Sequence, residues 1–397
     1  MSHIKLILAT LILLISFEAE SQNYTDSLSS ALTDYLNKNE IPGFAVMILN
    51  QDKIVYEKGF GYANIEKKQP FKTNTIQNIG SVSKTFIAVA LMKAIELGYF
   101  TLETNINDIL PFKVVNPNAP NDTISIKYLT THTSGILDNK VTLNRSYRFI
   151  GQAKSDKLIQ ILKGYNYTSD LRDTTLGTFL KSYLTPDGQL YTKDNFGSAL
   201  PGKSASYSNI GSALAAYLIE IKSGLSFADF TTQYIFNPLR MKETSWFLPK
   251  KINNRQATPY LDKSTPLPFY HLTTYPDGGL RTSASELSLY VSEMIKTLNN
   301  KSRLINKNSV ATMFKPVFNE INVPQGMLLK TRNKGVFWNL YKDGYIGHDG
   351  DDPGVSTYIL FNRHTGIIFL SNIYMEDKTN IISILKKYAP SLSEPDR

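Results

Sequence analysis

Residues 79–86 read IGSVSKTF and place a serine, Ser81, three residues before a lysine, Lys84. The apolar run continues to Leu97, and Gly98 follows where a helix cap is expected, so the stretch predicts a buried helix. Side chains three residues apart share a helix face, so the amine of Lys84 can reach the hydroxyl of Ser81 and assist its deprotonation. At the start of a helix the N–H of Ser81 is free, and the helix dipole favours an oxyanion. The segment predicts a serine nucleophile with a lysine base.

Two later segments supply the other residue types that this chemistry needs. Tyr207-Ser208-Asn209 stands just before a predicted helix, and a tyrosine beside an ammonium group is expected to have a lowered phenol pKa and to relay a proton. Asn209 can hydrogen-bond a substrate amide. Gly347-His348-Asp349-Gly350 leads into a turn, and His348 is its cationic or hydrogen-bonding candidate.

Strand patterns lie near both ends of the chain, and helical patterns lie between them. Apolar runs bounded by turn residues predict strands at 45–49, 53–60, 337–341, 355–361 and 367–372. Helical spacing is found at 26–37, 212–222 and 227–236. We therefore expect an α/β plus all-α protein. Its antiparallel sheet domain, flanked by helices, is formed by residues 22–104 and 275–397, and residues 105–274 form an inserted helical domain.

The composition is typical of a globular, exported protein. The chain has 397 residues, of which 42% are hydrophobic, and the lack of cysteine excludes disulfides and thiolate metal sites. Lys5, the short apolar run 6–17 and the small residues Ala19 and Ser21 predict a signal peptide, residues 1–21, cleaved near Ser21. We expect a secreted or periplasmic protein without stable membrane insertion. Its net charge of +9 is not arranged in blocks with interleaved aromatics, so no nucleic-acid partner is expected.

With these segments in this order, the chain resembles the serine β-lactamase and penicillin-binding superfamily, in particular its branch of class C β-lactamases, DD-peptidases, D-aminopeptidases and esterases. The matching segments span nearly the whole chain: PGFA at 42–45, IGSVSKTF at 79–86, LTTHTSG at 129–135, YSN at 207–209, PLRM at 238–241, GGL at 278–280 and GHDG at 347–350. The resemblance implies a β-lactamase/transpeptidase-like fold and a hydrolase that works through an acyl-enzyme.

The resemblance also implies residue roles. Ser81 is the residue that is acylated, Lys84 and Tyr207 share the base and acid duties, and Asn209 steadies the acyl group. Neither a cofactor nor a metal is implied. The expected substrate is a small molecule or a peptide, a class that includes molecules derived from the cell wall.

The third segment brings charges whose placement the sequence leaves open. His348 stands where the family has lysine or histidine, and the N–H groups of Ser81 and Asp351 are expected to form the oxyanion hole. Asp349 stands where relatives use a hydroxyl for the substrate carboxylate, so it is expected to repel β-lactams and D-alanine peptides. Because adjacent strand residues point to opposite faces, Asp349 can instead turn away from the cleft. Arg281 has two interpretations, an anion clamp at the cleft mouth or, favoured, a surface ion pair.

Other matches to single motifs are interpreted as structural. The serine–lysine spacing recurs at Ser2/Lys5 and at Ser383/Lys386, outside the ordered set of segments. His364-Thr365-Gly366 and Lys342-Asp343-Gly344 lie between apolar strands and are predicted to be turns. His132 is predicted to steady a loop behind the site.

These observations favour a serine hydrolase of ester or amide bonds, esterase-like or D-amino-acid peptidase-like, with weak β-lactamase activity. The alternative is a non-catalytic or slowly acylated penicillin-binding or sensor module. The altered third segment motivates that alternative, because a fold alone does not establish activity.

Overall fold

Three strands of this protein are mostly apolar and do not alternate between buried and exposed residues. In the computed structural model, which describes residues 23–151, 156–163 and 174–393, they are β1 (Gly43–Asn50), β13 (Val355–Phe361) and β14 (Thr365–Ser371). All three are buried on both faces, apart from the last residue of β1. A strand buried on both faces requires a covering layer on each side of its sheet. Helices form both layers here.

The main sheet is built from both ends of the chain. Its other strands are β2 (Lys53–Asn64), β3 (Gln69–Pro70), β10 (Arg332–Lys334), β11 (Asn339–Tyr341) and β12 (Ile346–Asp352). All neighbours are antiparallel, in the order β10-β11-β12-β13-β14-β1-β2-β3. β1 lies between β2 and β14, with Phe44 opposite Ser371. The predicted antiparallel sheet flanked by helices is confirmed.

Helices and short strand pairs form most of the remaining regular secondary structure of the described chain. The helices are α1 (23–38), α2 (Ser83–Glu96), α3 (Ile126–Thr130), α4 (Lys140–Leu143), α5 (Asp156–Lys163), α6 (Leu176–Leu184), α7 (Asn209–Ser223), α8 (Phe227–Thr231), α9 (Asn237–Leu239), α10 (Ala284–Leu298), α11 (Lys307–Met313) and α12 (Thr379–Ser393). The short pairs are β4 (Ile76–Asn78) with β9 (Arg281–Ser283), β5 (Tyr147–Ile150) with β8 (Phe269–Leu272), and β6 (Tyr260–Asp262) with β7 (Thr265–Pro266).

Alternate residues of the central strands serve two apolar layers. Val46 belongs to the layer shared with α1 and α12, whereas its neighbour Met47 belongs to the larger layer on the other face. That larger layer contains Phe86 of α2 and Leu214 of α7, which pack against each other's helices. Because α2 is buried, the residues at its start, including Lys84, are held in place by the surrounding core.

The middle segment, residues 105–274, contains helices α3 to α9 but also strands β5 to β8. These strands have two to four residues, too few for an alternating pattern to be recognised in the sequence. The division into a sheet domain and an inserted helical domain stays a prediction.

The predicted signal peptide, residues 1–21, lies outside the described residues. Among the helices of the described ranges, none combines the length and the apolar character needed to cross a bilayer.

Candidate active site

Ser81 lies on a single 3₁₀ turn, Gly80–Val82, and α2 begins two residues later at Ser83. The first turn of a helix often tightens in this way, which accounts for the difference from the predicted helix start. The turn is fastened to the loop before β9. The N–H of Ile79 donates to the carbonyl of Leu280 at 3.0 Å, and the N–H of Leu280 donates to the Ser83 hydroxyl at 3.1 Å. These bonds hold the partly exposed Ser81 in one orientation.

The amine of Lys84 is buried and makes three short contacts. Its Nζ lies 3.0 Å from Ser81 Oγ, 2.6 Å from Asn209 Oδ1 and 2.6 Å from the carbonyl oxygen of Asp277. Burial lowers the pKa of Lys84, and the Asp277 carboxylate is the strongest opposing charge. A neutral amine has two hydrogens, and the amide and carbonyl oxygens can only accept them. The lone pair of the neutral amine therefore faces Ser81 Oγ, as a general base requires.

A carboxylate absent from the predicted set, Asp138, orients Asn209. It accepts hydrogen bonds from the N–H of Asn209 at 2.8 Å, from Asn209 Nδ2 at 2.9 Å and from the N–H of Ile210 at 3.1 Å. Because Asp138 binds Nδ2, the Oδ1 of Asn209 turns toward Lys84. The same carboxylate satisfies N–H groups at the start of α7. No motif or spacing in the sequence marks Asp138. The contact of Asn209 with a substrate amide stays a prediction.

Tyr207 approaches Ser81 from the segment that precedes α7. Its hydroxyl is close enough to the Ser81 side chain for Ser81 to lower its pKa, and the centre of its ring lies 4.9 Å from Lys84 Nζ. The ring packs on the buried His132, with 4.4 Å between ring centres, and His132 Nδ1 accepts the N–H of Ser208 at 3.2 Å. His132 thus supports the Tyr207 segment from behind, in agreement with its predicted structural role.

The pKa of Tyr207 is raised well above its ordinary value, so the predicted lowering is wrong. Desolvation is the main cause, although the residue as a whole is 43% exposed; the hydrogen bond to Ser81 opposes it, and the carboxylates of Asp349, Asp138 and Asp277 add to it. Desolvation and this negative surrounding outweigh the nearby amine. Tyr207 is therefore a phenol at neutral pH and can donate a proton.

Two glycines allow β12 to approach the Ser81 turn closely. A Cβ on Gly350 would lie 2.1 Å from the carbonyl oxygen of Ile79 and 3.0 Å from the nitrogen of Ser81. A Cβ on Gly80, which has a φ of +50°, would lie 2.8 Å from the nitrogen of Asp351. Only glycine permits this contact without displacement. The resulting proximity of the Ser81 and Asp351 amides supports the predicted oxyanion hole.

His348 is neutral, so of its two predicted roles the cationic one is wrong. The pKa of His348 is lowered to about 4, chiefly by burial; Asp349 opposes this shift, and Lys334 and Lys84 add to it. Its Nδ1 lies 2.5 Å from the carbonyl oxygen of Asp349. A carbonyl only accepts, so Nδ1 carries the proton of the neutral ring and Nε2 is left as an acceptor.

The carboxylates of Asp349 and Asp351 face away from Ser81. Asp349 stands opposite Tyr358, which belongs to the apolar layer under α1 and α12, and Asp351 stands opposite Ser356 on the same face. The Asp351 carboxylate accepts hydrogen bonds from Lys378 at 2.6 Å and from Ser356 at 2.7 Å. Of the two orientations that the sequence left open for Asp349, the structure shows the one turned away from the cleft by strand alternation, so the expected repulsion of a substrate carboxylate is wrong.

Both interpretations of Arg281 are also wrong. The residue is 5% exposed, which excludes a surface ion pair and a position at the cleft mouth. Its guanidinium donates to the carbonyl of Tyr270 at 2.5 Å and lies over the Tyr270 ring. Arg281 is a buried structural residue beneath the site.

A small cavity of about 40 Å³ adjoins Ser81, and we call it the acidic pocket; its polar lining includes Ser81, Ser146, Tyr147, Asn209, Asp277 and Asp352, and Leu143 and Leu272 also line it. The pKa values of Asp277 and Asp352 are both raised to about 7, chiefly by burial. The Tyr147 hydroxyl donates to Asp352 Oδ1 at 2.5 Å. Asp277 was absent from the predicted site, although it directly precedes the quoted GGL segment.

A second cavity, of about 380 Å³, lies on the side of Tyr207, and we call it the Tyr207 cavity; it is lined in part by His132, Tyr207, Arg332 and Lys334. Lys334 Nζ donates to Asn339 Oδ1 at 2.6 Å, and burial lowers the pKa of Lys334 to about 7. The two cavities are thus unlike in charge.

Comparisons with known proteins agree with this arrangement. The family model described as Beta-lactamase matches residues 28–374. Protein flp of Staphylococcus aureus (strain MW2) is 25% identical over 366 residues, which cover 90% of this chain and 64% of flp, so the chain spans less than two thirds of that relative. Penicillin-binding protein 4* of Bacillus subtilis (strain 168) is 26% identical over 383 residues, covering 88% of this chain and 72% of the relative.

Solved structures share the fold. The octameric penicillin-binding protein homologue from Pyrococcus abyssi superposes with a TM-score of 0.72 at 24% identity, covering 91% of this chain and 76% of that one. A class C beta-lactamase superposes with a TM-score of 0.69 at 20% identity, covering 94% and 98%. Because the family model matches most of the sequence and the fold agrees, this chain belongs to the beta-lactamase family.

Proposed function

We propose that this protein is a serine hydrolase that cleaves ester or amide bonds through an acyl-enzyme on Ser81. The observation that carries the proposal is the hydrogen bonding of Lys84. Asn209 Oδ1 and the carbonyl oxygen of Asp277 can only accept hydrogen bonds, so they take the two hydrogens of the neutral amine. The lone pair of the amine then faces Ser81 Oγ at 3.0 Å. Burial favours the neutral form. A buried lysine with a purely structural role would not need a serine hydroxyl beside the lone pair of its amine.

In the first step, Ser81 Oγ attacks the substrate carbonyl carbon and its proton moves to Lys84 Nζ. The carbonyl oxygen becomes an oxyanion that accepts hydrogen bonds from the N–H groups of Ser81 and Asp351. Loss of one such donor typically lowers kcat by roughly 10² to 10³. Gly80 and Gly350 contribute by holding the two amides close together.

In the second step, the bond to the leaving group breaks and the leaving atom takes the hydroxyl proton of Tyr207. The proton held by Lys84 then restores the phenol, so protons balance over acylation. Because the pKa of Tyr207 is raised, a free phenolate is unfavourable and the two transfers are coupled. Water attacks the acyl-enzyme by the same route in reverse, which releases the acid and regenerates Ser81.

We further propose esterase-like or D-amino-acid peptidase-like turnover with weak β-lactamase activity. Repulsion of β-lactams by the Asp349 carboxylate does not support this proposal, because the side chain lies on the other side of the sheet. A neutral His348 supports the same expectation, since it offers no positive charge to a β-lactam carboxylate at this strand.

The test uses a fluorophosphonate, which forms a covalent adduct with an activated serine. We expect one adduct by intact mass on the wild type and none on Ser81→Ala, together with a fall in kcat for p-nitrophenyl butyrate of roughly 10³ or more in Ser81→Ala. An adduct combined with a long-lived acyl-enzyme would favour the slowly acylated binding module. A wild type that forms no adduct would exclude the proposed mechanism.

A further inference from the structure

Three side-chain oxygens of the acidic pocket are buried with unmet hydrogen-bonding capacity. They are Ser146 Oγ, Asp277 Oδ2 and Asp352 Oδ2, and within the described ranges none of them has a hydrogen-bond partner. The residues are 0%, 3% and 8% exposed, and all three line the same cavity as Ser81. Buried polar atoms in proteins are normally satisfied. Three unmet oxygens around one small cavity therefore point to a ligand with several donors.

The charged donors of the protein around this pocket are directed to backbone carbonyls. Lys84 donates to the backbone carbonyl of Asp277 and Arg281 donates to the carbonyl of Tyr270. Tyr147 donates to Oδ1 of Asp352, and the side chains of Thr274 and Tyr270 also interact with the Asp277 and Asp352 carboxylates, respectively, without satisfying Oδ2 of either. Asp352 Oδ2 lies 3.8 Å from the position that a Cβ on Gly278 would occupy, and Gly278 also lines the pocket. The free oxygen of Asp352 is thus at the pocket wall.

Charge distinguishes between the possible occupants. Burial is the main cause of the raised pKa of Asp277, Lys84 opposes it, and the Asp352 carboxylate in the same cavity adds to it. A water molecule can donate hydrogen bonds to the two carboxylates but does not offset the repulsion between their negative charges. An ammonium group supplies three N–H donors and a compensating positive charge. A volume of about 40 Å³ admits a group of that size and excludes a large side chain.

We propose that the acidic pocket binds the primary ammonium group of an aminoacyl substrate, with the amine close to the scissile carbonyl. The proposal rests on the acyl-enzyme function of Ser81. The pocket is lined by Ser81 and Asn209, whereas Tyr207, the proton donor to the leaving group, lines the Tyr207 cavity. The amine therefore belongs to the acyl half of the substrate. An amino-acid ester or amide with a free amine has this form.

The experiment compares two amides of 7-amino-4-methylcoumarin. One carries alanine, as separate D and L arms, and the other carries 2-methylpropanoate, in which a methyl group replaces the ammonium group. We expect a wild-type kcat/KM at least tenfold higher for an alanyl amide. That ratio should fall at least tenfold in Asp352→Asn, which keeps the shape of the side chain, and by a smaller factor in Ser146→Ala. Asp349→Asn is the matched control, because it removes a carboxylate from the same strand on the opposite face, and its ratio should stay within twofold of wild type.

A second measurement separates this proposal from the hydrolase proposal. Calorimetry with alaninamide on Ser81→Ala tests binding without turnover, and we expect binding that is lost in Ser81→Ala/Asp352→Asn. Equal wild-type rates for the two amides, or alaninamide binding that survives in the double variant, would overturn the ammonium site. If the hydrolase proposal fails, the result is different: both amides and p-nitrophenyl butyrate remain intact, and fluorophosphonate forms no adduct. The alaninamide measurement then still shows whether the acidic pocket binds an ammonium group.

Discussion

At the scale of single residues, the proposed mechanism depends on a lysine whose pKa is lowered by burial. We expect the rate of acylation by p-nitrophenyl butyrate to rise with pH as Lys84 loses its proton, and to level off below pH 10.5, its ordinary pKa, because burial lowers that pKa. Lys84→Ala should lower the rate roughly 10³-fold and abolish this rise. Stopped-flow measurements between pH 5 and 10 test both points. A rate that begins to rise only near pH 10, or an active Lys84→Ala, would contradict the assigned role.

Tyr207 is expected to matter most when the leaving group needs a proton. An amide nitrogen must be protonated to leave, whereas p-nitrophenolate leaves as an anion. Tyr207→Phe should therefore lower kcat/KM by roughly 10² to 10⁴ for an anilide and by much less for the p-nitrophenyl ester of the same acid. The phenylalanine keeps the contact with the His132 ring, so the melting temperature should be unchanged. Equal losses on both substrates would show that Tyr207 does not protonate the leaving group.

At the scale of elements, we expect the position of β12 against the Ser81 turn to decide whether the proposed oxyanion hole can form. Gly350→Ala places a methyl group 2.1 Å from the carbonyl oxygen of Ile79, so the strand must move away. We expect kcat to fall by roughly 10² to 10³, the cost of losing one oxyanion donor, and fluorophosphonate labelling to slow.

Gly197→Ala is the control for this substitution, because a Cβ there would meet its nearest atoms at 3.7 Å, an ordinary contact. Its kcat and labelling rate should match those of the wild type. If Gly350→Ala kept wild-type kcat, the Asp351 amide would not be part of the site.

The elements show what can be predicted from sequence and what cannot. The serine–lysine pair, the Tyr207 segment and the central strands are marked by local residue order and apolar runs, and the structure places them as expected. The side-chain direction of Asp349 depends on the register of its strand, because a shift of one residue would turn the side chain to the other face of the sheet. The pKa directions of Tyr207 and His348 depend on burial within the assembled fold. Asp138 acts through a contact with Asn209 far along the chain, for which local sequence holds no signal.

At the scale of the whole molecule, the acidic pocket is expected to reduce stability. The folded pKa of Asp352 is about 7, above its ordinary 3.8, so the folded state keeps a proton that the unfolded state releases. Stability therefore falls as pH rises from about 4 to 7 and stays lower above that range. Asp352→Asn should be more stable than the wild type at pH 8 by on the order of 1 kcal/mol or more, because one pKa unit is worth about 1.4 kcal/mol.

At pH 3.5 that advantage should vanish, since both folded and unfolded Asp352 are then largely protonated. Urea unfolding at the two pH values measures the difference. An advantage of the same size at both values would show that packing, rather than ionisation, is responsible.

The pairing of β1 with β14 also sets an order of events during synthesis. Ser81 and Lys84 leave the ribosome long before residues 346–352, which bring the second amide of the oxyanion hole, and β1 gains its partner only when residues 365–371 follow. Contacts between such distant segments form late. Under the proposed mechanism, a growing chain therefore carries its nucleophile and base for most of translation before the second oxyanion donor has been made. We therefore expect the growing chain to have no hydrolytic activity until the strands that complete its sheet have been made.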